Sequence, residues 1–365
     1  MSRLNELIQQ YCPDGVEYKK LEDCLNYEQP TKYIVKDTKY DDTYPTPVLT
    51  AGQTFILGYT NEKTGIYQAS KEKPVIIFDD FTTGFHWVDF DFKVKSSAMK
   101  MLRPACDDIS FRYVYYAMSS IHFEPGTHTR HWISIYSQFE IPVPPLPVQE
   151  EIVRILDNFA ELQAELQAEL QKRLQQYNYY RDNLLSFEDR TDVEWKKLGE
   201  LGRISSGKNK QKKKEGAYPV YGSTGIIAYC DEFKYDKPLI LVARVGANAG
   251  YTHIARGQYD VSDNTLIIDL DKKNVINKYI FYILVNINLN RYAKGGGQPL
   301  ITAGEIKEIT IPVPPLSEQQ RIVDILDRFD KLTTDITAGL PAEIEARRKQ
   351  YEYYRDKLLT FKQKA

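Results

Sequence analysis

Apolar residues in this chain fall into two patterns. Ile152, Ile155, Leu156, Phe159, Leu162, Leu166, Leu170 and Leu174 fall at three- and four-residue steps, which predicts one long helix with a single apolar stripe. Within it the tetrad Ala-Glu-Leu-Gln occurs three times between Ala160 and Gln171, all strong helix formers. A second stripe runs through Ile322, Ile325, Leu326, Phe329, Leu332 and Ile336. There Gly339-Leu-Pro341 predicts a kink or brief stop, after which the stripe resumes through Ile344, Tyr351, Tyr354 and Leu358. Elsewhere the apolar residues form short unbroken runs. Pro74–Phe78, Pro238–Val242 and Thr265–Asp269 are apolar runs bounded by turn formers and predict buried strands. Aromatic-rich Phe111–Ile121 and Lys278–Ile287 predict helices that pack on them.

These elements come twice, because the chain repeats itself. Ile141-Pro-Val-Pro-Pro-Leu146 returns as Ile311-Pro-Val-Pro-Pro-Leu316, and 13 of 19 positions match through Phe159 and Phe329. Tyr177–Phe187 answers Tyr351–Phe361 with 8 of 11 identical, and Val16–Leu21 answers Val193–Leu198. Each unit is thus a variable segment, a proline turn and a long helix. Pro144-Pro145 and Pro314-Pro315 neither continue a strand ladder nor enter a helix interior, so each predicts a stiff hinge before its helix. The variable segments share a skeleton but little identity, which suggests two different things being read.

Length and composition narrow the class. With 365 residues the chain has room for two or three domains, and 42% hydrophobic with 27% charged residues excludes wholesale disorder. No apolar stretch is long enough to span a membrane, and the start MSRLNELIQQYCPDG has no signal-type core, so a cytoplasmic location is expected. Cys12, Cys24, Cys106 and Cys230 lie too far apart for a disulfide framework or a cysteine zinc site. Twenty-seven tyrosines favour interfaces, since tyrosine joins apolar area to a hydrogen-bonding tip. The net charge of −2 hides an asymmetry: residues 196–311 carry a net +7, residues 142–195 a net −6, and residues 19–141 a net −2.

Candidate chemistry mostly fails on spacing. Gly202–Lys208 fits the first positions of a phosphate-binding loop, but Asn209 stands where Ser or Thr should hold magnesium, and lysines follow instead of an apolar helix. Asp14 and Glu17 sit too close together for opposed nuclease carboxylates. His128 and His131 have no further ligand in the pattern. Gly246-Ala-Asn-Ala-Gly250 lacks a dinucleotide fingerprint, and no Asn/Asp-Pro-Pro-Tyr/Phe tetrad encodes an amino-methyltransferase cleft.

What remains is basic and polar. Lys208, Lys210, Lys212, Lys213 and Lys214 give five cations in seven positions; Arg244, Asn248, Asn264, Lys294 and Gln298 occupy Gly-rich turns of the same unit. Arg, Asn and Gln suit base edges, whereas Lys mainly meets phosphate. In the first unit Lys32, Lys36, Lys39, Thr83, His86, Lys93 and Lys100 are the corresponding candidates. A lysine run is often only a solvated face, so DNA contact and plain solvation both stay open for each residue.

Two variable units, each closed by Ile-Pro-Val-Pro-Pro-Leu and by a helix ending Tyr-x-Tyr-Tyr-Arg-Asp-x-Leu-Leu, resemble the specificity subunit of type I restriction–modification enzymes. Ser223–Ala228, Ala243–Gly250 and Val261–Thr265, with Phe78–Thr82 and Ser96–Lys100 in the first unit, look like target-recognition-domain segments. The resemblance implies an α+β chain with two tandem α/β target-recognition domains, separated by two long antiparallel, coiled-coil-like helices in a pseudo-two-fold repeat. The expected boundaries are an N-terminal segment 1–14, domain 15–141, hinge and helix 142–190, domain 191–311, and hinge and helix 312–365. It further implies a non-catalytic reader of a bipartite double-stranded DNA site. Two methyltransferase (modification) subunits dock on the helices, and motor-nuclease (restriction) subunits join through them. The chain itself needs no cofactor: S-adenosylmethionine, ATP and magnesium belong to those partners. Alternatives are a protein-interaction scaffold, or the reader of a methylation-only or phage-defence relative.

Overall fold

A computed structural model describes residues 2–52, 54–126, 129–187, 190–210, 213–271, 273–335 and 338–364. The chain forms two compact units that do not follow its order: Met1–Glu165 joins Ile344–Ala365 in the first, and Leu166–Glu343 makes the second.

The first unit runs α1 (Ser2–Tyr11), β1 (Glu17–Lys20), α2 (Leu21–Cys24), β2 (Leu25–Glu28), β3 (Thr46–Leu49), β4 (Ile56–Thr60) and β5 (Val75–Asp79). It continues with β6 (Phe85–Val88), β7 (Lys93–Val94), β8 (Met99–Pro104), α3 (Phe111–Ser119), β9 (Glu140–Val143) and the start of α4 (Leu146–Leu184). Its sheets are ordered β2-β8-β5-β6, β4-β3-β7 and β1-β9. The second unit runs β10 (Glu194–Lys197), β11 (Gly202–Ser206), β12 (Tyr218–Gly222), β13 (Gly225–Cys230), β14 (Leu239–Ala243), β15 (Thr252–Ala255), β16 (Asp260–Val261) and β17 (Thr265–Leu270). There follow α5 (Asn277–Ile287), α6 (Ala303–Lys307), β18 (Thr310–Val313), α7 (Leu316–Thr334) and α8 (Leu340–Leu358). Its sheets repeat the pattern: β11-β17-β14-β15, β13-β12-β16 and β10-β18.

The predicted strands are β5, β14 and β17, within a residue or so of the expected bounds. β5 and β14 are apolar at successive positions because both their faces are covered. Ile76 and Phe78 turn toward α3, while Val75 and Ile77 enter a separate core with Leu49, Phe92 and Met101. Ile240 and Val242 pack with α5, while Leu239 and Leu241 pack with Tyr259 and Val261.

A polar hub joins each domain to its connector. β9 ends at Val143, since Pro144 and Pro145 offer no N–H, and α4 starts at Leu146. Buried Gln149 donates to the Pro144 carbonyl at 2.7 Å and accepts from the Ser110 N–H at 2.8 Å. Gln319 repeats this, donating to the Pro314 carbonyl and accepting from the Ile276 N–H, both at 2.9 Å. Tyr113 and Tyr279 donate to the Pro142 and Pro312 carbonyls at 2.9 and 3.0 Å. Tyr116 and Tyr282 donate to Asp157 and Asp327, both at 2.5 Å, and a cation joins each carboxylate, Arg112 or Lys278 at 2.8 Å. Burial, reinforced by the carboxylate, pushes both Tyr116 and Tyr282 hydroxyls well above the ordinary phenol range, so they stay protonated donors.

The connectors exchange ends. Phe159 of α4 packs on Tyr351 and Tyr354 of α8 at 6.5 and 5.6 Å in the first unit. In the second, Phe329 of α7 packs on Tyr177 and Tyr180 of α4 at 6.3 and 5.6 Å. Leu185 and Phe187 then close the second core, as Leu359 and Phe361 close the first. The Val16 N–H donates to the Lys362 carbonyl at 2.9 Å, so the far end of the chain completes the first domain. The N-terminal segment 1–14 thus belongs to the first unit, since α1 buries Leu4 in its core, and the end of 312–365 belongs to that same core.

The stop predicted at Gly339-Leu-Pro341 is present. α4 runs 39 residues unbroken, whereas α7 and α8 have 19 each with residues 335–339 between them. The four residues by which the second connector is longer are therefore taken up in the break and do not extend its helix. Gly339 is required there, because a Cβ would come within 2.6 Å of the Lys331 carbonyl oxygen. Ile336 lies outside the described residues.

Candidate nucleic-acid interface

Four loops of the second unit meet at one end of the β11-β17-β14-β15 sheet. The Arg244 N–H donates to the Asn264 carbonyl at 2.9 Å, and the Ile301 N–H returns to the Arg244 carbonyl at 2.9 Å. Gly246 donates to the Pro299 carbonyl at 2.9 Å, and Lys294 and Leu300 exchange backbone bonds at 2.9 and 2.8 Å. Gly207 lies so close to its neighbour that a Cβ would sit 2.2 Å from the Ser262 carbonyl oxygen, and the Lys208 N–H donates to the Val261 carbonyl at 3.1 Å. These bonds gather Lys208, Lys210, Arg244, Asn248, Asn264, Lys294 and Gln298 onto one loop surface.

Lys208, Lys210, Asn248, Asn264 and Gln298 are exposed on it. Arg244 is half-buried, and its guanidinium has no acceptor among the described residues. Lys294 is paired with Glu305 at 2.8 Å; that hydrogen bond, with those from Thr302, holds the Glu305 carboxyl down at about 2. The rest of the lysine run lies apart. Lys213 pairs with Asp231 at 2.6 Å along the outer edge of β13, with exposed Lys214 beside it. Lys212 and, in the first unit, His128 lie outside the described residues. Of Gly202–Lys208, which fits the first positions of a phosphate-binding loop, Gly202–Ser206 is strand β11, paired with β17.

Three first-unit candidates need correction. Lys93 is buried: its ammonium donates to the Thr64 and Gly65 carbonyls at 2.8 and 2.9 Å and pairs with Glu62 at 3.0 Å. Lys100 is buried against Asp80 at 3.0 Å, whose other oxygen accepts from the Trp132 N–H at 2.9 Å. Thr83 is also buried, in the left-handed region at φ 57, and its hydroxyl donates to the Thr82 carbonyl at 2.7 Å. All three hold turns and sheets together and cannot face a ligand. A single sequence hides this, because the paired carboxylates lie 31 and 20 residues away. His86 is half-buried with Nε2 3.2 Å from the Gly52 carbonyl oxygen, and Lys36 and Lys39 are exposed. Lys32 is exposed but tied to Glu28 at 2.7 Å.

One residue escaped the sequence reading. His253 stands opposite Leu241 in β15 as His86 stands opposite Ile77 in β6. Its ring lies 5.8 Å from Tyr221 and 5.7 Å from Tyr251, with neither nitrogen bonded within the described residues. Burial lowers its pKa and keeps it neutral. The available signal was positional: both histidines come second in the strand that follows the loop.

A family model described as the type I restriction modification DNA specificity domain matches residues 13–176 and again 191–346. The chain belongs to this family. The type I restriction enzyme EcoR124I/EcoR124II specificity subunit of Escherichia coli is 47% identical over 99% of this chain and 97% of its own. A putative type I restriction enzyme specificity subunit of Haemophilus influenzae is 31% identical over 95% of this chain and 96% of its own. The type I restriction–modification S subunit of M. genitalium has the same fold, with a TM-score of 0.63 at 16% identity over 94% of this chain and 96% of that one. Each match of the specificity-domain model starts just before a β1 or β10 entry strand and runs into a connector helix, so the family repeat and the structural repeat coincide. As a specificity subunit the chain supplies DNA recognition without catalysis of its own. Among the described residues no helix is long and apolar enough to cross a membrane.

Proposed function

We propose that each unit of this specificity subunit reads one half of a bipartite duplex DNA site. The connectors seat two copies of a methyltransferase subunit, and motor-nuclease subunits attach through them. S-adenosylmethionine, ATP and magnesium work on those partners, and the assembly acts in the cytoplasm, where the DNA is.

One observation carries the reading. The skeleton is duplicated down to the Gln149/Gln319, Tyr113/Tyr279 and Tyr116/Tyr282 contacts, while the loops at the sheet ends differ in length, charge and side chains. A duplicated frame suits two copies of one partner, and unlike loop ends suit two unlike sequences. Mapping methylated bases in a genome that carries this gene with its partner genes tests the proposal. It predicts a motif of two defined halves around an undefined gap. A continuous motif without a gap would contradict it.

A further inference from the structure

Beside the polar loop surface of the second unit stands an exposed apolar hairpin. β13 is the outer strand of the β13-β12-β16 sheet, and its adjacent residues Ile226 and Ile227 are 51% and 53% exposed. Neighbours on a strand point to opposite faces, so a strand that exposes both projects from the protein. The tip turns through Ser223-Thr224 and closes on Gly225 at φ 115. Gly222 leaves the space that the Ile227 side chain occupies, since a Cβ there would come within 2.6 Å of it.

This projecting ribbon is tied to the polar loops. The Ser223 hydroxyl donates to the Asn264 carbonyl at 3.4 Å, and the Ser262 N–H donates to the Tyr221 carbonyl at 2.9 Å. On its outer edge the Tyr229 N–H donates to the Lys213 carbonyl at 3.0 Å, which lays Lys213, paired with Asp231, and exposed Lys214 alongside. An apolar projection flanked by lysines fits a partner with anionic edges and apolar groups at depth. The major groove of B-DNA is about 12 Å wide, admits a two-stranded ribbon between phosphate walls, and presents an apolar group, the thymine C5-methyl.

We propose that the β12–β13 hairpin enters the major groove of the half-site read by the second unit. Ile226 and Ile227 recognise thymine there by its C5-methyl, and Lys208, Lys210 and Lys214 meet the flanking phosphates. This rests on the DNA-reading function proposed above and adds the element and the chemical group that is read.

The test uses the complex of the full chain with its methyltransferase subunits and duplexes carrying its mapped methylated motif. Each thymine of that half-site, on either strand, is replaced singly by uracil, which keeps the pairing and removes only the methyl. At least one replacement should weaken binding about fourfold, the effect of burying one methyl group. The Ile226→Ala/Ile227→Ala chain should bind the thymine duplex more weakly, be indifferent to the uracil, and keep its salt dependence. Wild-type indifference at every thymine overturns the proposal, and so does a uracil effect undiminished in the variant. Failure of the variant to assemble with the methyltransferase also overturns it, by making the hairpin a protein-docking surface. A wild-type complex with no sequence preference at all overturns the DNA-reading function itself, and this inference with it.

Discussion

The two units place the same hairpin against different neighbours. In the second, β13 exposes Ile226 and Ile227 and takes Lys213 on its edge, with Lys214 next in line. In the first, β4 exposes Ile56 and Leu57, but the Asp41 N–H donates to the Tyr59 carbonyl at 3.2 Å, so Asp41 and Asp42 run alongside. Strand order, β-bulge and apolar positions agree while the flanking side chains differ, lysines (one paired with Asp231) beside β13 and aspartates beside β4. The fold is therefore carried by what the units share, and recognition by what surrounds it. The first unit also spends two of its lysines inside the protein, on Glu62 and Asp80, so its count of cations overstates what it offers a phosphate.

Substitutions can sharpen or break that contrast. The largest effect is expected from Lys100→Ala. It strands the Asp80 carboxylate in the interior, and removing one partner of a buried pair costs about 3–5 kcal/mol. Chemical denaturation followed by hydrogen exchange should show the loss in the first unit alone; an unchanged stability would return Lys100 to the DNA-facing set. The shared hub predicts symmetry instead. Tyr116→Phe and Tyr282→Phe each remove a bond to a carboxylate, worth roughly 1.5–3 kcal/mol, and should destabilise their own units by similar amounts.

DNA binding should show the asymmetry again. Replacing Lys208, Lys210 and Lys214 by alanine should weaken binding to all sequences and reduce the salt slope by about two to three, near 0.9 per phosphate contact. Replacing Lys36 and Lys39 should change it less, with Asp37, Asp41 and Asp42 beside them. Equal slopes would mean that the flanking charge does not face the DNA. Arg244→Ala should instead relax one position of one half-site, at about 1–3 kcal/mol for a bidentate contact. The smallest effect is geometric. Deleting Ala164–Gln167 from α4 removes one tetrad, roughly 6 Å of helix, and should shorten the undefined gap by about one or two base pairs with both halves unchanged.

Much of this was legible in the sequence, for identifiable reasons. Ile141–Leu146 and Ile311–Leu316 betray the repeat because proline stops must keep their place. β5 and β14 are readable because strands covered on both faces are apolar throughout. The helix break is readable because Gly and Pro act locally. The Tyr116–Asp157 and Tyr282–Asp327 contacts were not readable, since each joins residues 41 or 45 apart whose spacing carries no pattern. Lys93 and Lys100 misled for the same reason: a lysine looks solvated until its carboxylate is found across the fold. The exchange of helix ends was hidden as well, because the copies at Tyr177 and Tyr351 do not say which domain each one closes.

The claim that the two units read independently on a common frame is tested most directly by exchange. Residues 199–310 are replaced by the corresponding segment of another family member whose methylated motif is known, leaving β10, β18 and both connectors in place. The methylated motif of the chimera, expressed with the methyltransferase, is then sequenced. The account predicts that one half of the motif becomes the donor's while the other half and the gap stay as they were. A change in both halves, in an active complex, would contradict it.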